Sequence, residues 1–348
     1  MRVAILDDYQ RVALSSADWS PLAGLATVEV VPPLAGLITG EAAPSIFVSG
    51  GSGGLPPAEA AQPPAGLEEL ARALADYDVI VAMRERTRFP AQLLERLPRL
   101  RLLVTTGAVN AAIDLAACAR QGVTVCGTGS VAGVTAEYAW ALLMTAAKRL
   151  DLELPATRRG AWQVGRGGEL PVVLRGRVLG VVGLGRVGSE VAGYGRAFGM
   201  TVLGHDPHLP PDRFIDLGVT AVTLDRLLAE SDFVTLHLAL TPATVGLIGA
   251  ARLAAMKPTA WLINTSRGPI VDRTALLEAC RHGRIAGAAL DVYDQEPLPA
   301  SDELRRRPNI IASPHLGYVA QEQWRRWYGD VVEDIVAFAA GAPIRRLA

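Results

Sequence analysis

Short β-branched or aliphatic runs recur along this chain with helix-length stretches between them, and this alternation is its strongest constraint on fold. The runs at residues 3–6, 79–83, 102–104, 178–182, 233–236, 261–263 and 288–292 are short and mainly apolar. Continuous runs suit strands covered on both faces, and strands separated by helices pair in parallel through crossovers. The expected fold is therefore α/β, with two doubly wound parallel-sheet domains. A chain of 348 residues has room for two such domains, each with its own core.

Two further stretches carry a helical pattern. One begins near Val134, with Leu142, Leu143 and Thr145 spaced for a buried stripe. The other begins at Gln321, with Trp324, Trp327, Val331, Ile335 and Phe338 on one face and Gly341 closing it. Residues 39–66 are rich in Gly, Pro and Ala and read as a long loop to which we assign no function.

The balance of 34 Lys and Arg against 35 Asp and Glu leaves no net field for nucleic acid or an acidic membrane surface. No apolar run reaches the roughly eighteen residues of a membrane span. Cys118, Cys126 and Cys280 form neither a CxxC pair nor a metal-ligand spacing. Three scattered thiols fit a reducing compartment, so the expectation is a cytoplasmic protein with no metal site.

The segment "GLGRVG" places Gly183, Gly185 and Gly188 in the spacing GxGxxG. An apolar run precedes it, a helical pattern follows it, and Asp206 stands eighteen positions after Gly188. That context is the dinucleotide-binding fingerprint. Gly183 permits the turn, Gly185 admits a pyrophosphate to backbone N–H groups, and Gly188 lets helix pack on strand. Asp206 would accept the adenosine ribose hydroxyls and repel a 2′-phosphate, which favours NAD. Arg186 and Val187 of the same loop belong to the cofactor set. His237 ends a strand near it, and His205 and His208 flank Asp206.

Downstream, "NTSRGPIVD", "ALDVYDQEP" and "SPHLG" place Arg267, Glu296 and His315 in turns after strand candidates, with Asp272 set to cap a helix. A histidine beside proline and glycine, as in "IIASPHLGYV", has no evident function when taken alone. Together with the Gly-rich loop, however, these segments resemble the D-isomer-specific 2-hydroxyacid dehydrogenases, most densely from about residue 100 to 316.

The resemblance implies a fold, a reaction and a set of roles. Residues 1–128, completed by 317–348, would form the substrate domain, and 129–316 the Rossmann-type NAD domain. Arg267 would bind the substrate carboxylate and polarise its carbonyl. His315 would carry the proton, with Glu296 as its partner. Asp291 corresponds to an acid near the nicotinamide carboxamide, and Thr265 joins the cofactor set. Gly107 and Ala108 match part of the loop whose N–H groups hold substrate, and Arg84 a basic residue at its rim. Val109 and the run Asn110-Ala111-Ala112 depart from the family's usual residues, so this loop is expected to be reshaped.

The expected activity is hydride transfer between NAD and a D-2-hydroxy or 2-oxo acid, by a homodimer. The rival expectation is an NAD(H)-sensing, corepressor-like binding protein on the same fold. A formate-type oxidation would call for glutamine in place of Glu296.

Overall fold

The computed structural model describes residues 1–32, 66–165 and 170–348. The expected loop at 39–66 lies outside the described residues except for Gly66, which precedes a helix. The chain divides into two compact units. Gly133–Tyr318 forms one, and the residues described before it together with Val319–Ala348 form the other.

The first unit is built on β1 (Arg2–Ile5), β2 (Thr27–Val30), β3 (Val79–Ala82), β4 (Leu102–Thr105) and β5 (Thr124–Gly127). They pair in parallel in the order β2-β1-β3-β4-β5. Every residue of β3 and β4 is buried, as continuous apolar runs require of central strands. The chain's last residues cover the β5 edge: Leu347 N donates to Val125 O at 2.7 Å and Gly127 N to Arg345 O at 3.0 Å. An edge so paired offers no free ladder to another chain.

The helix Gln321–Ala339 buries Trp324, Trp327, Val331 and Ile335 as the sequence predicts. Phe338 is only partly buried, with the Arg101 guanidinium 5.5 Å from its ring centre. The same helix carries Asp334, a fully buried carboxylate that accepts from Arg345 Nε at 3.0 Å.

The second unit holds β6 (Val178–Val182), β7 (Thr201–His205), β8 (Thr220–Ala221), β9 (Phe233–Leu236), β10 (Trp261–Asn264), β11 (Gly287–Leu290) and β12 (Ile310–Ala312). Their order is β12-β11-β10-β9-β6-β7-β8, parallel throughout. The chain builds outward from β6 through β7 to β8, then returns to β9 on the other side of β6. This makes the β6/β9 junction a topological switch point, where open α/β sheets bind ligands.

The helix Val134–Lys148 packs Ala136, Ala139, Leu142, Leu143, Ala146 and Ala147 into the core. A fully buried leucine contributes roughly 1.5–3 kcal/mol over an exposed one. Thr145 does not share that face; it is partly exposed and its hydroxyl donates to Ala141 O at 2.8 Å. Asp272 caps the helix Arg273–Arg281 by accepting from Ala275 N at 2.9 Å. Among the described residues no helix is long and apolar enough to cross a membrane.

Asp334 makes the first unit's stability depend on pH. Burial pushes its carboxyl up from 3.8 to about 7, against the pull of Arg345. The folded chain thus binds a proton that the unfolded chain has already released. The resulting stabilisation is complete below the unfolded value and is lost as pH rises through about 7. Asp334→Asn keeps an oxygen for Arg345 and cannot ionise. Thermal melts between about pH 5 and about pH 8 should show a fall in wild-type Tm that is largely absent from the variant.

Candidate active site

The register of the second sheet sets its strand ends in one line. Val182 pairs with both His205 and Leu236, Leu236 with Asn264, Asn264 with Leu290, and Leu290 with Ala312. Neighbouring strands lie about 4.8 Å apart, so these six residues form a transverse row. The residue after each of them is Asp206, Gly183, His237, Thr265, Asp291 or Ser313. Five of the six are sequence-predicted site residues, and the carboxyl ends of six strands bring them to one edge.

The glycine loop fits a dinucleotide. At Gly188 a Cβ would lie 1.9 Å from Gly183 O, so only glycine allows this approach of helix to loop. At Gly185 a Cβ would meet nothing within 4 Å. This open space lies at the start of the helix Arg186–Ala197, which has no side-chain cap and no acid in its first turn. N–H groups that no side chain caps at the start of that helix suit a pyrophosphate. Arg186 and Val187 open that helix.

Asp206 Oδ2 accepts from Leu184 N at 2.9 Å, and its Oδ1 from His208 N at 3.0 Å. The acid is thereby tied to the glycine loop. His205 turns Nδ1 to Val222 O at 3.1 Å. His237 Nε2 contacts Thr235 Oγ1 at 2.9 Å, and desolvation pushes its imidazole down to about 3, so it stays neutral. The buried Thr265 hydroxyl has no partner among the described residues, which leaves a polar atom at the sheet edge for a ligand.

Arg267 follows β10 in a turn fixed by Asn264, whose Nδ2 donates to Arg267 O at 3.0 Å and whose Oδ1 accepts from Ser266 N at 3.0 Å. The guanidinium donates to Ser266 O at 2.8 Å. Gly268 is required beside it: a Cβ there would stand 2.2 Å from the carbonyl carbon of Tyr293. That close approach seats the Arg267 turn against the segment bearing Glu296. The sequence flagged Glu296 but not Gly268, because the contact spans two loops.

Glu296 bridges its own turn to the histidine. Its Oε1 accepts from Tyr293 N at 2.9 Å, and its Oε2 bonds His315 Nδ1. With Nδ1 so engaged, Nε2 is the ring nitrogen open to a reactant. The Tyr318 ring stands nearly perpendicular to the same imidazole, with centroids 5.3 Å apart.

Asp291 is fully buried, and both its oxygens are engaged by the loop that carries His315. Oδ1 accepts from Ser313 Oγ at 2.6 Å and Leu316 N at 2.8 Å, and Oδ2 from Gly317 N at 2.7 Å. Burial raises its carboxyl, and these donors and His315 act in the opposite direction.

Arg84 and the Gly107–Ala108 pair belong to the first unit, after the neighbouring strands β3 and β4. The Gly107 N–H donates to Thr128 Oγ1 at 2.6 Å. It is therefore spent on holding the loop, and of the predicted pair Ala108 keeps the N–H without an acceptor among the described residues. Arg84 Nη1 lies 1.9 Å from where a Cβ on Gly107 would stand. Asn110 holds this loop: Nδ2 donates to Arg84 O at 2.6 Å and Thr105 Oγ1 at 2.8 Å, and Oδ1 accepts from Ala112 N at 2.9 Å.

This edge has the makeup of a nicotinamide-dependent dehydrogenase site, with a dinucleotide loop at one end and an Arg, Glu and His set at the other. Comparison agrees. Residues 140–317 match the family described as D-isomer specific 2-hydroxyacid dehydrogenase, NAD binding domain. A glyoxylate reductase of Korarchaeum cryptofilum is 39% identical over 76% of this chain and 81% of its own. A D-3-phosphoglycerate dehydrogenase of Archaeoglobus fulgidus is 37% identical over 80% of this chain and 52% of its own, so this chain spans about half that relative's length. The solved phosphoglycerate oxidoreductase of Vibrio cholerae o395 superposes with a TM-score of 0.84 at 31% identity, covering 98% of this chain and 100% of that one. The chain belongs to the D-isomer-specific 2-hydroxyacid dehydrogenase family, and its dinucleotide is NAD.

The glycine loop gives a paired expectation. Gly185→Ala meets no neighbouring atom, so Tm should stay near wild type while NADH affinity, by fluorescence titration, falls about tenfold or more because the methyl group occupies the pyrophosphate's approach. Gly188→Ala should lose Tm as well as NADH binding. Equal NADH affinity in Gly185→Ala and wild type would place the pyrophosphate elsewhere.

Proposed function

We propose that this chain reduces a small 2-oxo acid to the D-2-hydroxy acid, and runs the reverse oxidation, with Arg267, Glu296 and His315 as the catalytic residues. The reading is carried by one observation: the Glu296–His315 bond stands one strand from the Arg267 turn, on the sheet edge that also bears the glycine loop.

Each group has a task set by its chemistry. The Arg267 guanidinium offers a planar fork for the substrate carboxylate and draws electron density from the adjacent carbonyl. Glu296 orients the imidazole through Nδ1 and balances its positive charge when both nitrogens are protonated. In reduction His315 Nε2 gives a proton to the carbonyl oxygen, and in oxidation it takes one from the hydroxyl. The nicotinamide supplies or accepts the hydride at the carbon bearing that oxygen.

Gly183, Gly185, Arg186, Val187 and Gly188 would hold the pyrophosphate end of NAD, and Asp206 the adenosine ribose. His237, Thr265 and Asp291 follow along the edge. Residues 129–316 would be the NAD domain and 1–128 with 317–348 the substrate domain, with Arg84, Gly107 and Ala108 as its substrate-binding residues.

A homodimer is supported by large apolar residues exposed within one stretch: Leu150, Leu154, Trp162, Val164, Leu170 and Val173. Trp162 is 79% exposed and Leu170 81%. Large apolar side chains exposed in this number along one stretch suit cover by a second copy of the chain. A cytoplasmic setting is supported by three buried free thiols, which burial pushes up to about 11 at Cys118 and Cys126 and about 12 at Cys280. A corepressor-like role on this fold would need only the cofactor end of the edge. The complete Arg, Glu and His set favours the enzyme.

A panel of 2-oxo acids with NADH separates those readings, since turnover of any member supports the enzyme and turnover of none supports the binding protein. With a substrate in hand, Arg267→Lys keeps the charge but loses the fork. It should lower kcat/KM about a hundredfold while NADH binding persists. Glu296→Gln removes the negative charge beside the imidazole at nearly constant size. Reduction needs the protonated ring, so the high-pH limb of its kcat/KM profile should move to lower pH. Oxidation needs the neutral ring, so its low-pH limb should move the same way. An unchanged profile would assign the proton to another group.

A further inference from the structure

We propose that Tyr138 is a positioning residue for His315, acting through a directed chain of hydrogen bonds; the inference rests on the acid–base role given to that histidine above. Tyr138 lies in the helix Val134–Lys148, 175 residues before Ser313. Their side-chain oxygens are 2.5 Å apart.

The direction of that bond follows from proton counting. A serine hydroxyl has one proton, and Ser313 gives it to Asp291 Oδ1 at 2.6 Å. Ser313 can therefore only accept from Tyr138, and the phenol donates. Burial raises the Tyr138 phenol above its ordinary value, which keeps it a protonated donor. Asp291 then holds the N–H groups of Leu316 and Gly317, the two residues immediately after His315. The chain runs from phenol to serine to carboxylate to the backbone beside the imidazole, each link polarising the next.

What the chain holds is a strained turn. His315 has φ +54, a left-handed conformation that residues other than glycine keep only when their surroundings enforce it. Tyr293 braces the same turn, with its one hydroxyl proton shared between Leu290 O at 3.0 Å and Ser313 O at 2.9 Å. Those contacts fix main-chain carbonyls. Tyr138 acts on the Ser313 side chain, and so on how Asp291 is presented to the loop. Without its donor, Ser313 is free to turn away from Asp291. The loop then relaxes and the imidazole leaves its place against Glu296.

Tyr138→Phe deletes only the donor. With a 2-oxo acid that the wild type reduces, kcat should fall about tenfold or more, the scale of a small misplacement of a reacting group, while Kd for NADH and Tm stay near wild type. Ser313→Ala should reproduce the loss, and Ser313→Thr, which retains a hydroxyl, should recover most of it. In a His315→Ala background Tyr138→Phe should cost nothing more, because the phenol acts only through the imidazole. A wild-type kcat in Tyr138→Phe, or a loss that persists without His315, overturns the proposal. The NMR signal of the His315 ring, assigned by its absence in His315→Ala, gives a readout independent of turnover. It should shift or broaden in Tyr138→Phe, and an unmoved signal also overturns the proposal. A wild type that reduces no 2-oxo acid refutes the functional reading, yet the NMR comparison still decides whether Tyr138 positions His315.

Discussion

The parallel register that sets His205, Val182, Leu236, Asn264, Leu290 and Ala312 side by side decides where everything else in the second unit can stand. Parallel strands all point the same way, so each carboxyl end opens onto one edge, and a site can be assembled there from segments far apart in the chain. A shift of one residue in any pair would turn that strand's exit side chain to the opposite face. The row is protected against such a shift because every residue of β9, β10 and β11 is buried. Hydrophobic burial fixes the register, and the register fixes the spacing of the polar groups just beyond it.

Beyond the row, the loop after β12 carries a left-handed backbone at His315. A left-handed conformation costs a non-glycine residue about 1–2 kcal/mol. A hydrogen bond to a charged group contributes about 1.5–3 kcal/mol, and Asp291 receives three donors, two of them backbone N–H groups next to His315. The magnitudes favour the strained turn as long as Asp291 is present and oriented. A neutral side chain could accept fewer of these donors, and the buried N–H groups left over would each carry a desolvation penalty. The carboxylate that the sequence suggests for the cofactor is therefore also the anchor of the loop that carries His315.

Strand ends and motif residues were legible in the sequence because they rest on local pattern. The run at residues 178–182 is β6 itself, 233–236 is β9, and Arg267, Glu296 and His315 follow their strands as the spacing implies. β2, β5 and β8 were not anticipated. β2 and β8 are edge strands of four and two residues, too short or too exposed to show a continuous apolar run. Thr145 was misplaced because a threonine at helical spacing gives no sign that its hydroxyl will return to its own backbone. Contacts between distant segments were invisible: Gly268 under Tyr293, Thr128 on Gly107, and Ser313 between Tyr138 and Asp291. Each joins residues whose nearness exists only once the sheet has formed.

That distinction bears on which part of the chain sets substrate choice. The family match spans 140–317, the region of the glycine loop and the Arg, Glu and His set. The departures fall instead in the first unit, after β4. There the loop is held by side chains: Thr128 takes the Gly107 N–H, and Asn110 ties the Arg84 carbonyl to Thr105 and Ala112. A loop held in this way is less free to adapt than one built on successive glycines, whose backbone can move at little steric cost. It also carries Val109, which is 69% exposed and adds an apolar side chain where the family commonly has none. In the proposed reaction, proton and hydride transfer draw on the second unit's edge, whereas discrimination among acids depends on what lies against their side chains. Under the proposed function, selectivity would rest with Arg84 and residues 107–112 rather than with Arg267, Glu296 and His315.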